Sequence, residues 1–215
     1  MGLRLDYIGV PRAFGRRVEL RVQAVSICPR ECPSFMMQPM PMPEVHYRNA
    51  VPEDVPSIRV VEYEAAQRFV SVGLTGIAAA RPMDAPFVLK KVRAEEVIVA
   101  QCDGACVGFV MFAMLRARIY VEALDVVPQH AGRRIGAALL DRVDARARAT
   151  GAAHVELSTF RHVPWNAPYY QRLGFHILED DELDAALLRI RKLRIARGVD
   201  ETMRVFMRRA VKPGE

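Results

Sequence analysis

The stretch "LDVVPQHAGRRIGAALL" (124–140) decides how this chain folds. It begins with the alternating apolar residues of a strand, passes through a proline turn, and ends as an amphipathic helix. Gly132 and Gly136 bracket Arg133 and Arg134 at the start of that helix. Free N–H groups and the helix dipole attract anions there, and glycines let a ligand approach the backbone closely. The pattern predicts a phosphate or pyrophosphate site, and a tight turn without a ligand is the alternative.

Two common phosphate-binding motifs do not fit this stretch. A P-loop requires Gly-Lys-Ser or Gly-Lys-Thr after the turn, and a dinucleotide-binding strand is followed by Gly-x-Gly-x-x-Gly. The stretch contains neither motif. The predicted site therefore depends on the start of the helix and on its two arginines.

Composition indicates a globular protein with an apolar core. The chain has 215 residues and a formal net charge of +6, with 51% hydrophobic and 26% charged residues. It contains no run of about 18 apolar residues, so no membrane span is expected. The basic residues are scattered and form no stripe with interleaved aromatics, so no binding to nucleic acid is expected. The N-terminus lacks a secretory signal pattern, which favours a cytoplasmic protein.

The cysteines do not predict a metal site. Three residues separate Cys28 from Cys32, and three separate Cys102 from Cys106, which is not the usual spacing of a zinc knuckle. Compartment and spacing together favour reduced thiols. We therefore expect no bound metal.

Residues 1–42 differ in character from the rest of the chain. The segment "CPRECPSFMMQPMPMP" (28–43) contains five prolines in sixteen residues and shows no helical or strand period. We expect residues 1–42 to be a poorly ordered extension, and residues 43–215 to be the folded domain. The extension is either an ordinary flexible tail or sequence that precedes the true start of the protein.

From residue 45 onward, strands and helices alternate. Asp103-Gly104 predicts a hairpin between two strands, and a third strand leads into the opening stretch. The helix 134–149 has a buried face formed by its apolar positions at i, i+4 spacing, Ile135, Leu139, Val143 and Ala147. A strand on either side of that helix implies a parallel pair with a right-handed crossover. The fold class is therefore α/β in the mixed α+β sense, with helices on a central sheet.

A second stretch, "STFRHVPWNAPYYQRLGF" (158–175), ends in Tyr170-x-x-x-Gly174-Phe175. With it the chain resembles the GNAT (GCN5-related N-acetyltransferase) superfamily, of the bacterial small-substrate type, over about residues 45–210. In that superfamily a strand-turn-helix with Arg/Gln-x-x-Gly-x-Gly/Ala binds the pyrophosphate of acetyl-CoA, and Tyr-x-x-x-Gly-Phe follows the next strand. The resemblance implies the GNAT fold, a mixed and mostly antiparallel sheet of about seven strands with one parallel, splayed pair, flanked by helices.

The turn departs from the pattern of the superfamily at two positions. Ala131 stands where Arg or Gln is usual, and Arg134 stands where Gly is usual. The first change removes a side chain that would cap the phosphates. The second requires a backbone conformation that an L-residue can tolerate. Both departures bear on the affinity for CoA rather than on the fold.

The predicted acetyl-CoA-binding residues include the anion-binding turn and the positions that the resemblance implies. They come from the strand end, the turn, the first helical turn and the later motif: Leu124, Val126, Val127, Ala131, Gly132, Arg133, Arg134, Ile135, Gly136, Ala137, Asn166 and Tyr170. Asn166 is added because it lies one helical turn before Tyr170, and an Asn that only starts the helix or turn is its alternative. Where the parallel strands splay, a backbone N–H near Val126 is expected to polarise the thioester carbonyl.

Tyr170 and Glu122 are the predicted catalytic residues. The corresponding Tyr of the superfamily acts as the general acid, since a phenol with a pKa near ~10 can protonate the leaving CoA thiolate. Glu122 alternates with Leu124 and Val126 and should share their strand face. Many members use a Glu on this strand to take the proton of the amine. A packed aromatic ring and a salt-bridged carboxylate are the structural alternatives.

Three further residues are predicted to line the acceptor pocket, namely Phe160, His162 and Trp165. The aromatic pair would favour an aryl or apolar amine, and core packing is the alternative. His162 and His154 are reserve bases, with a surface position as the alternative for each.

The predicted function is transfer of an acetyl group from acetyl-CoA to a primary amine of a small molecule, by direct attack in a ternary complex. A protein acetyltransferase for lysine or an N-terminal amine is the first alternative. A non-catalytic acyl-CoA-binding regulatory domain is the second. The superfamily often forms dimers, and the sequence leaves the oligomeric state open between a monomer and a homodimer.

Overall fold

The computed structural model of the chain describes residues 43–196 and 198–214. The predicted extension, residues 1–42, lies outside the described residues, as do Cys28 and Cys32. None of the helices in the described ranges is long and apolar enough to cross a membrane.

The described residues form seven strands and six α-helices. The strands are β1 Val45–Asn49, β2 Val97–Cys102, β3 Ala105–Leu115, β4 Arg118–Val126, β5 His154–Phe160, β6 His176–Leu178 and β7 Arg204–Ala210. The helices are α1 Val55–Ala66, α2 Thr75–Ala78, α3 Ala85–Arg93, α4 Ile135–Ala149, α5 Ala167–Arg172 and α6 Ala185–Ala196. Short 3-10 segments lie at Pro52–Asp54, Gln67–Val72, Pro128–His130 and Asp180–Glu182.

All seven described strands join one sheet in the order β1-β2-β3-β4-β5-β7-β6. Every neighbouring pair is antiparallel except β4 and β5, which are parallel. The hairpin between β2 and β3 turns at Asp103 and Gly104, whose positive φ angles of 51° and 78° suit the tight turn that this dipeptide predicts. The mixed, mostly antiparallel sheet with one parallel pair confirms the predicted fold.

The parallel pair separates along its length. Pairing ends at Val121 and Leu157, whereas β4 continues to Val126 and β5 continues to Phe160. The carboxyl ends of the two strands therefore leave a gap in the middle of the sheet. This gap is the predicted splay of the parallel pair.

β4 contains a bulge at Glu122. The residues on either side of Glu122 pair with the consecutive residues Phe112 and Met111 of β3, so Glu122 itself has no partner there. A bulge bends a strand and interrupts its side-chain alternation. The expectation that Glu122 shares a face with Leu124 and Val126 assumed an unbroken strand, and the bulge removes that basis.

The helix α4 packs by the face that its spacing predicts. Ile135, Leu139, Val143 and Ala147 are each at most 2% exposed, and they join one apolar cluster with β3 and β5. A side chain of this size contributes about 1.5–3 kcal/mol when fully buried. The packed face therefore fixes the start of α4 against the sheet, beside the gap between β4 and β5.

Candidate active site

The turn between β4 and α4 exposes backbone N–H groups. The first helical hydrogen bond of α4 runs from the Ala138 N–H to the Arg134 carbonyl, at 3.0 Å, so the N–H groups of residues 135–137 point out of the helix start. Gly132 has φ 80° and Arg134 has φ 60°, both left-handed. Arg134 adopts this conformation at a cost of roughly 1–2 kcal/mol, because its Cβ crowds the backbone.

A first cavity of about 510 Å³ lies against this turn, and we call it the cofactor cavity. The predicted cofactor residues that line it are Leu124, Val126, Ala131, Gly132, Arg134, Ile135, Gly136, Asn166 and Tyr170. Val127 and Ala137 do not line the cavity, and each is 8% exposed and packed behind it.

Arg133 lies on the other side of the turn. Its guanidinium donates to the Pro43 carbonyl at 2.6 Å, and it contacts His130 Nδ1 at 2.8 Å and Cys102 Sγ at 3.7 Å. These contacts direct Arg133 towards the hairpin edge and out of the cofactor cavity. Of the two predicted arginines, only Arg134 lines the cavity.

Two further arginines line the cofactor cavity, and neither was predicted from a sequence pattern. Arg68 follows α1, and Arg172 lies at the end of α5. The Arg68 guanidinium lies 4.5 Å from the centre of the Trp165 ring, and the Arg172 guanidinium lies 6.0 Å from the Tyr169 ring. Their positions depend on tertiary packing, so no local pattern predicts them.

Tyr169 explains why position 136 is a glycine. A Cβ added to Gly136 would lie 2.8 Å from the Tyr169 hydroxyl oxygen, closer than van der Waals contact allows. Tyr169 also lines the cofactor cavity. The helix start and the short helix α5 therefore meet directly at this point.

A second cavity of about 320 Å³ lies between α1, the segment 67–82, β4, β5 and the start of β7, and we call it the acceptor cavity. The two cavities share five lining residues, Phe69, Leu124, Asp125, Asn166 and Tyr170. Leu124 and Asp125 belong to the splayed end of β4, and Tyr170 belongs to α5. The cavities therefore meet at the gap between β4 and β5.

Asp125 is the titratable carboxyl at that junction. Burial raises its pKa to about 7, and the nearby Glu62 carboxylate adds to the increase. Glu62 lines the acceptor cavity from α1, where burial raises its own pKa and its Oε2 accepts the Met83 N–H at 2.9 Å. Sequence reasoning missed both residues. The signal for Asp125 was its position between Leu124 and Val126 at the strand end.

Tyr170 lies beside Asp125 and is 8% exposed. Burial raises the pKa of its hydroxyl, and the neighbouring Asp125 and Tyr169 raise it further, while the Arg204 guanidinium lowers it. The hydroxyl therefore keeps its proton at neutral pH and can act as a donor in either cavity.

Glu122 lines the acceptor cavity but is tied to Lys91. Its Oε2 lies 2.6 Å from Lys91 Nζ, and the same ammonium contacts Glu96 at 2.9 Å and the Phe112 carbonyl at 3.1 Å. Glu122 therefore forms the salt bridge that was the structural alternative to its predicted catalytic role. The bulge at this position directs the carboxylate to α3, away from the shared junction.

A family comparison places this geometry among known proteins. The model of the acetyltransferase (GNAT) family matches residues 64–175, slightly more than half of the chain. This chain belongs to that family. It is accordingly an acyltransferase, and both predicted motifs lie within the matched range.

Solved GNAT structures share the fold at low sequence identity. N-acetylglutamate synthase from Neisseria gonorrhoeae, solved with coenzyme A and N-acetyl-glutamate, has a TM-score of 0.60 and 17% identity, and covers 79% of this chain. The match spans only 36% of that synthase chain. The PaiA N-acetyltransferase of Thermoplasma acidophilum, solved with coenzyme A, has a TM-score of 0.56 and 14% identity, covering 78% of this chain and 99% of its own. The ribosomal-protein-S18-alanine N-acetyltransferase of Escherichia coli has a TM-score of 0.54 and 14% identity, covering 80% and 97%.

Asn166 joins the two motifs of this GNAT chain. Its Nδ2 donates to Thr159 Oγ1 at 2.6 Å, which ties α5 to the end of β5. Its Oδ1 is buried, and no hydrogen-bond donor among the described residues reaches it. An unused acceptor at the junction of two cavities is available to a ligand N–H, because a buried polar atom without a partner is costly.

The three predicted pocket residues have different positions in the structure. Phe160 lines the acceptor cavity, and Trp165 lines the cofactor cavity. Phe69 contacts both rings: the centre of its ring lies 5.4 Å from that of Phe160 and 5.8 Å from that of Trp165. His162 is exposed and lines neither cavity, and His154 is exposed at the start of β5.

Cys102 and Cys106 are free, as expected for reduced thiols. Within residues 43–196 and 198–214, no group of three or more His, Cys, Asp or Glu side chains is placed to hold a metal ion.

Proposed function

We propose that this GNAT protein transfers the acetyl group of acetyl-CoA to a primary amine of a small molecule. The observation that carries the proposal is the meeting of the two cavities at the gap between β4 and β5, with Asp125 and Tyr170 in the walls of both. Two substrates bound in these cavities would meet directly. The amine could then attack without a covalent intermediate on the protein.

The cofactor cavity has the groups that acetyl-CoA requires. The N–H groups of residues 135–137 would hold the pyrophosphate, and Arg134, Arg68 and Arg172 supply positive charge around it. Asn166 Oδ1 would accept an N–H of the pantetheine arm. Two of the solved relatives contain coenzyme A, which supports this assignment. Acetyl-CoA supplies the acetyl group as an activated thioester.

A backbone N–H at the gap would stabilise charge on the thioester oxygen. The Val127 N–H bonds to the Val107 carbonyl of β3 at 3.0 Å. Because successive N–H groups of a strand point to opposite edges, the Val126 N–H points towards the open edge that faces β5. Such a donor contributes roughly 3–4 kcal/mol where one has been removed from other enzymes.

Asp125 takes the role of general base that Glu122 was expected to play. An alkyl amine with a pKa near ~10 arrives as an ammonium ion and must lose a proton. A carboxyl with a pKa of about 7 is well matched to this task near neutral pH. Asp125 first takes the ammonium proton and passes it to solvent. The amine nitrogen then bonds to the acetyl carbon, the carbon–sulfur bond breaks, and the second proton released by nitrogen goes to the freed Asp125 carboxylate.

Tyr170 donates its proton to the leaving sulfur. The Asp125 charge raises the pKa of Tyr170, so protonation of Asp125 by the amine removes that effect. The phenol thereby becomes a stronger acid at the moment when the thiolate forms. The two proton transfers are coupled through this contact, and solvent afterwards exchanges the proton of Asp125 for that lost by Tyr170.

The size of the acceptor cavity supports a small acceptor. Its volume of about 320 Å³ is at the lower end for ligand pockets, which range over roughly 300–1,000 Å³. A protein N-terminus is the second candidate, because Tyr63 and Ile77 in the cavity wall are 51% and 37% exposed. The alanine acetyltransferase relative is consistent with that candidate.

Calorimetric titration with acetyl-CoA, followed by a screen of amines for CoA release, tests the proposal. Arg134→Ala should weaken binding about tenfold, since it removes a charge-assisted contact. Arg133→Ala is the matched control and should bind as the wild type does, because Arg133 points out of the cavity. No binding at millimolar acetyl-CoA by folded protein would contradict the proposal. Release of CoA with peptides but with no small amine would favour the second candidate.

A homodimer is a further part of the proposal. Light scattering during gel filtration measures the mass directly, and a mass of one 24.2 kDa chain at working concentrations would contradict it.

A further inference from the structure

Arg204, at the first residue of β7, lines the floor of the acceptor cavity. It pairs in register with Phe160 at the end of β5, and its guanidinium lies 4.6 Å from the centre of the Phe160 ring. Its Nη2 donates to the Ser158 carbonyl at 2.9 Å. These contacts fix the guanidinium on the wall of the cavity, on the side formed by β5.

The positive charge of Arg204 is incompletely balanced by the protein. Glu201 Oε1 lies 3.0 Å from Arg194 Nε but 4.0 Å from Arg204 Nε, so one carboxylate serves two guanidinium groups. The Arg204 Nε is buried, and no hydrogen-bond acceptor in the described part of the chain reaches it. Burial and the nearby Arg194 lower the pKa of Arg204 to about 10. The group remains charged at neutral pH, and its environment favours a further anion.

The acceptor cavity therefore contains groups of opposite charge near its centre. Asp125 and Glu62 are acids in its wall, and Arg204 is a buried cation in the same wall. Tyr170 is close enough to the acid Asp125 and the cation Arg204 for both to act on its hydroxyl: Asp125 raises the pKa of Tyr170, and Arg204 lowers it. Arg81, from the segment after α2, adds a second guanidinium to the lining. Such a cavity is complementary to a ligand that carries an ammonium and an anion close together.

We propose that the acceptor is a small amine that also carries a carboxylate, such as an amino acid, and that its carboxylate pairs with Arg204. This inference rests on the proposed acetyl transfer to a small amine. A guanidinium forms a planar fork that matches a carboxylate in a bidentate pair. With the carboxylate at Arg204, the amine end is directed towards Asp125 at the junction with the cofactor cavity.

The test compares matched acceptors that differ in the carboxylate alone. Amino acids, their α-amides and the corresponding amines without a carboxyl group are assayed for CoA release, and kcat/KM is measured for each. For the wild-type protein we expect kcat/KM for an amino acid to exceed that for its neutral counterparts by about 10- to 100-fold, the range for hydrogen bonds to charged groups. Arg204→Gln should remove this preference, and Arg204→Lys should retain part of it.

Arg191→Gln is the matched control. Arg191 lies on α6 and is paired at 2.8 Å with Asp180 of the 3-10 segment before that helix. It does not line the acceptor cavity, so the preference should be unchanged. If the wild-type kcat/KM for neutral amines equals that for amino acids, the inference is overturned, whereas the proposed acetyl transfer to small amines stands. If no compound of the three series releases CoA, both are overturned. The wild-type comparison decides the question even where Arg204→Gln fails to fold.

Discussion

The cofactor cavity and the acceptor cavity are assembled from different kinds of sequence. Half of the cofactor lining, from Leu124 to Gly136, comes from one continuous strand-turn-helix. The acceptor lining combines α1, the segment 67–82, the middle of β4, the end of β5, the start of α5 and Arg204 of β7. A continuous segment can keep one geometry while the rest of the chain varies. A wall assembled from six elements can change residue by residue, so we infer that the acceptor side carries the specificity of this chain.

Replacement of Asp125 at the junction of the cavities should have the largest effect. For Asp125→Asn we expect kcat/KM to fall by about 100-fold or more, as removal of a general base does. In the wild type, log kcat/KM should rise with pH and level off above about 7, because the raised pKa of Asp125 must be exceeded for the base to be free. The variant should lack this inflection.

Glu122→Gln is the control for Asp125→Asn, since Glu122 lies on the same strand but is paired with Lys91. A small loss with an unchanged pH profile is expected. If Glu122→Gln lowers kcat/KM strongly and Asp125→Asn keeps the pH inflection, the general base is Glu122 and not Asp125.

The next effect concerns the acid, on the α5 side of the junction. Tyr170→Phe should lower kcat by about 10- to 100-fold while leaving the calorimetric Kd for acetyl-CoA within about twofold, because the aromatic ring is kept. Tyr169→Phe, one residue earlier, should change kcat little. Equal losses of kcat in the two variants would mean that the hydroxyl of Tyr170 has no special part in the reaction.

The third prediction concerns the close packing of α4 against α5 in the wall of the cofactor cavity. Gly136→Ala should weaken acetyl-CoA binding about tenfold, since its Cβ would lie 2.8 Å from the Tyr169 hydroxyl. In a Tyr169→Phe background the nearest ring atom is Cζ at 3.7 Å, which is ordinary contact, and the substitution should be nearly neutral. A double-mutant cycle by calorimetry measures this coupling. Additive losses would show that the clash is not the cause.

The same contrast explains what could be predicted from sequence. The hairpin at Asp103-Gly104, the buried face of α4 and the anion-binding turn follow from local rules of turn chemistry, periodicity and helix ends. The parallel pair follows from the handedness of a strand-helix-strand unit. Tyr170 was predicted because a motif places it at a fixed distance from the turn, and Asn166 was predicted because it lies one helical turn before Tyr170. These features depend on residues near one another in the chain.

The features that sequence reasoning missed depend on tertiary contacts. Arg133 resembles Arg134 in sequence, yet its side chain is held by Pro43 and His130 on the outer side. Asp125 was passed over because the bulge at Glu122 breaks the alternation on which the choice of base relied. Arg204 is only one of several arginines near the C-terminus until the pairing of β7 with β5 brings it to the cavity.

The last prediction concerns stability rather than activity, and it separates a functional acid from a structural one. The pKa of Asp125 in the folded chain, about 7, lies above its ordinary value of 3.8, so the folded form binds the proton more tightly than the unfolded form. Its stabilising contribution is complete below about pH 4, is lost as pH rises to about 7, and stays lost above that.

Asn at position 125 cannot ionise. Asp125→Asn should therefore match the wild type near pH 4 and exceed it at pH 8 by on the order of 2 kcal/mol in the free energy of unfolding, measured by urea denaturation at both pH values. Equal pH dependence of the two proteins would show that Asp125 is solvated and would remove the basis for its role. A variant that is the least active and yet more stable is the pattern expected when a carboxyl is buried for catalysis at the expense of stability.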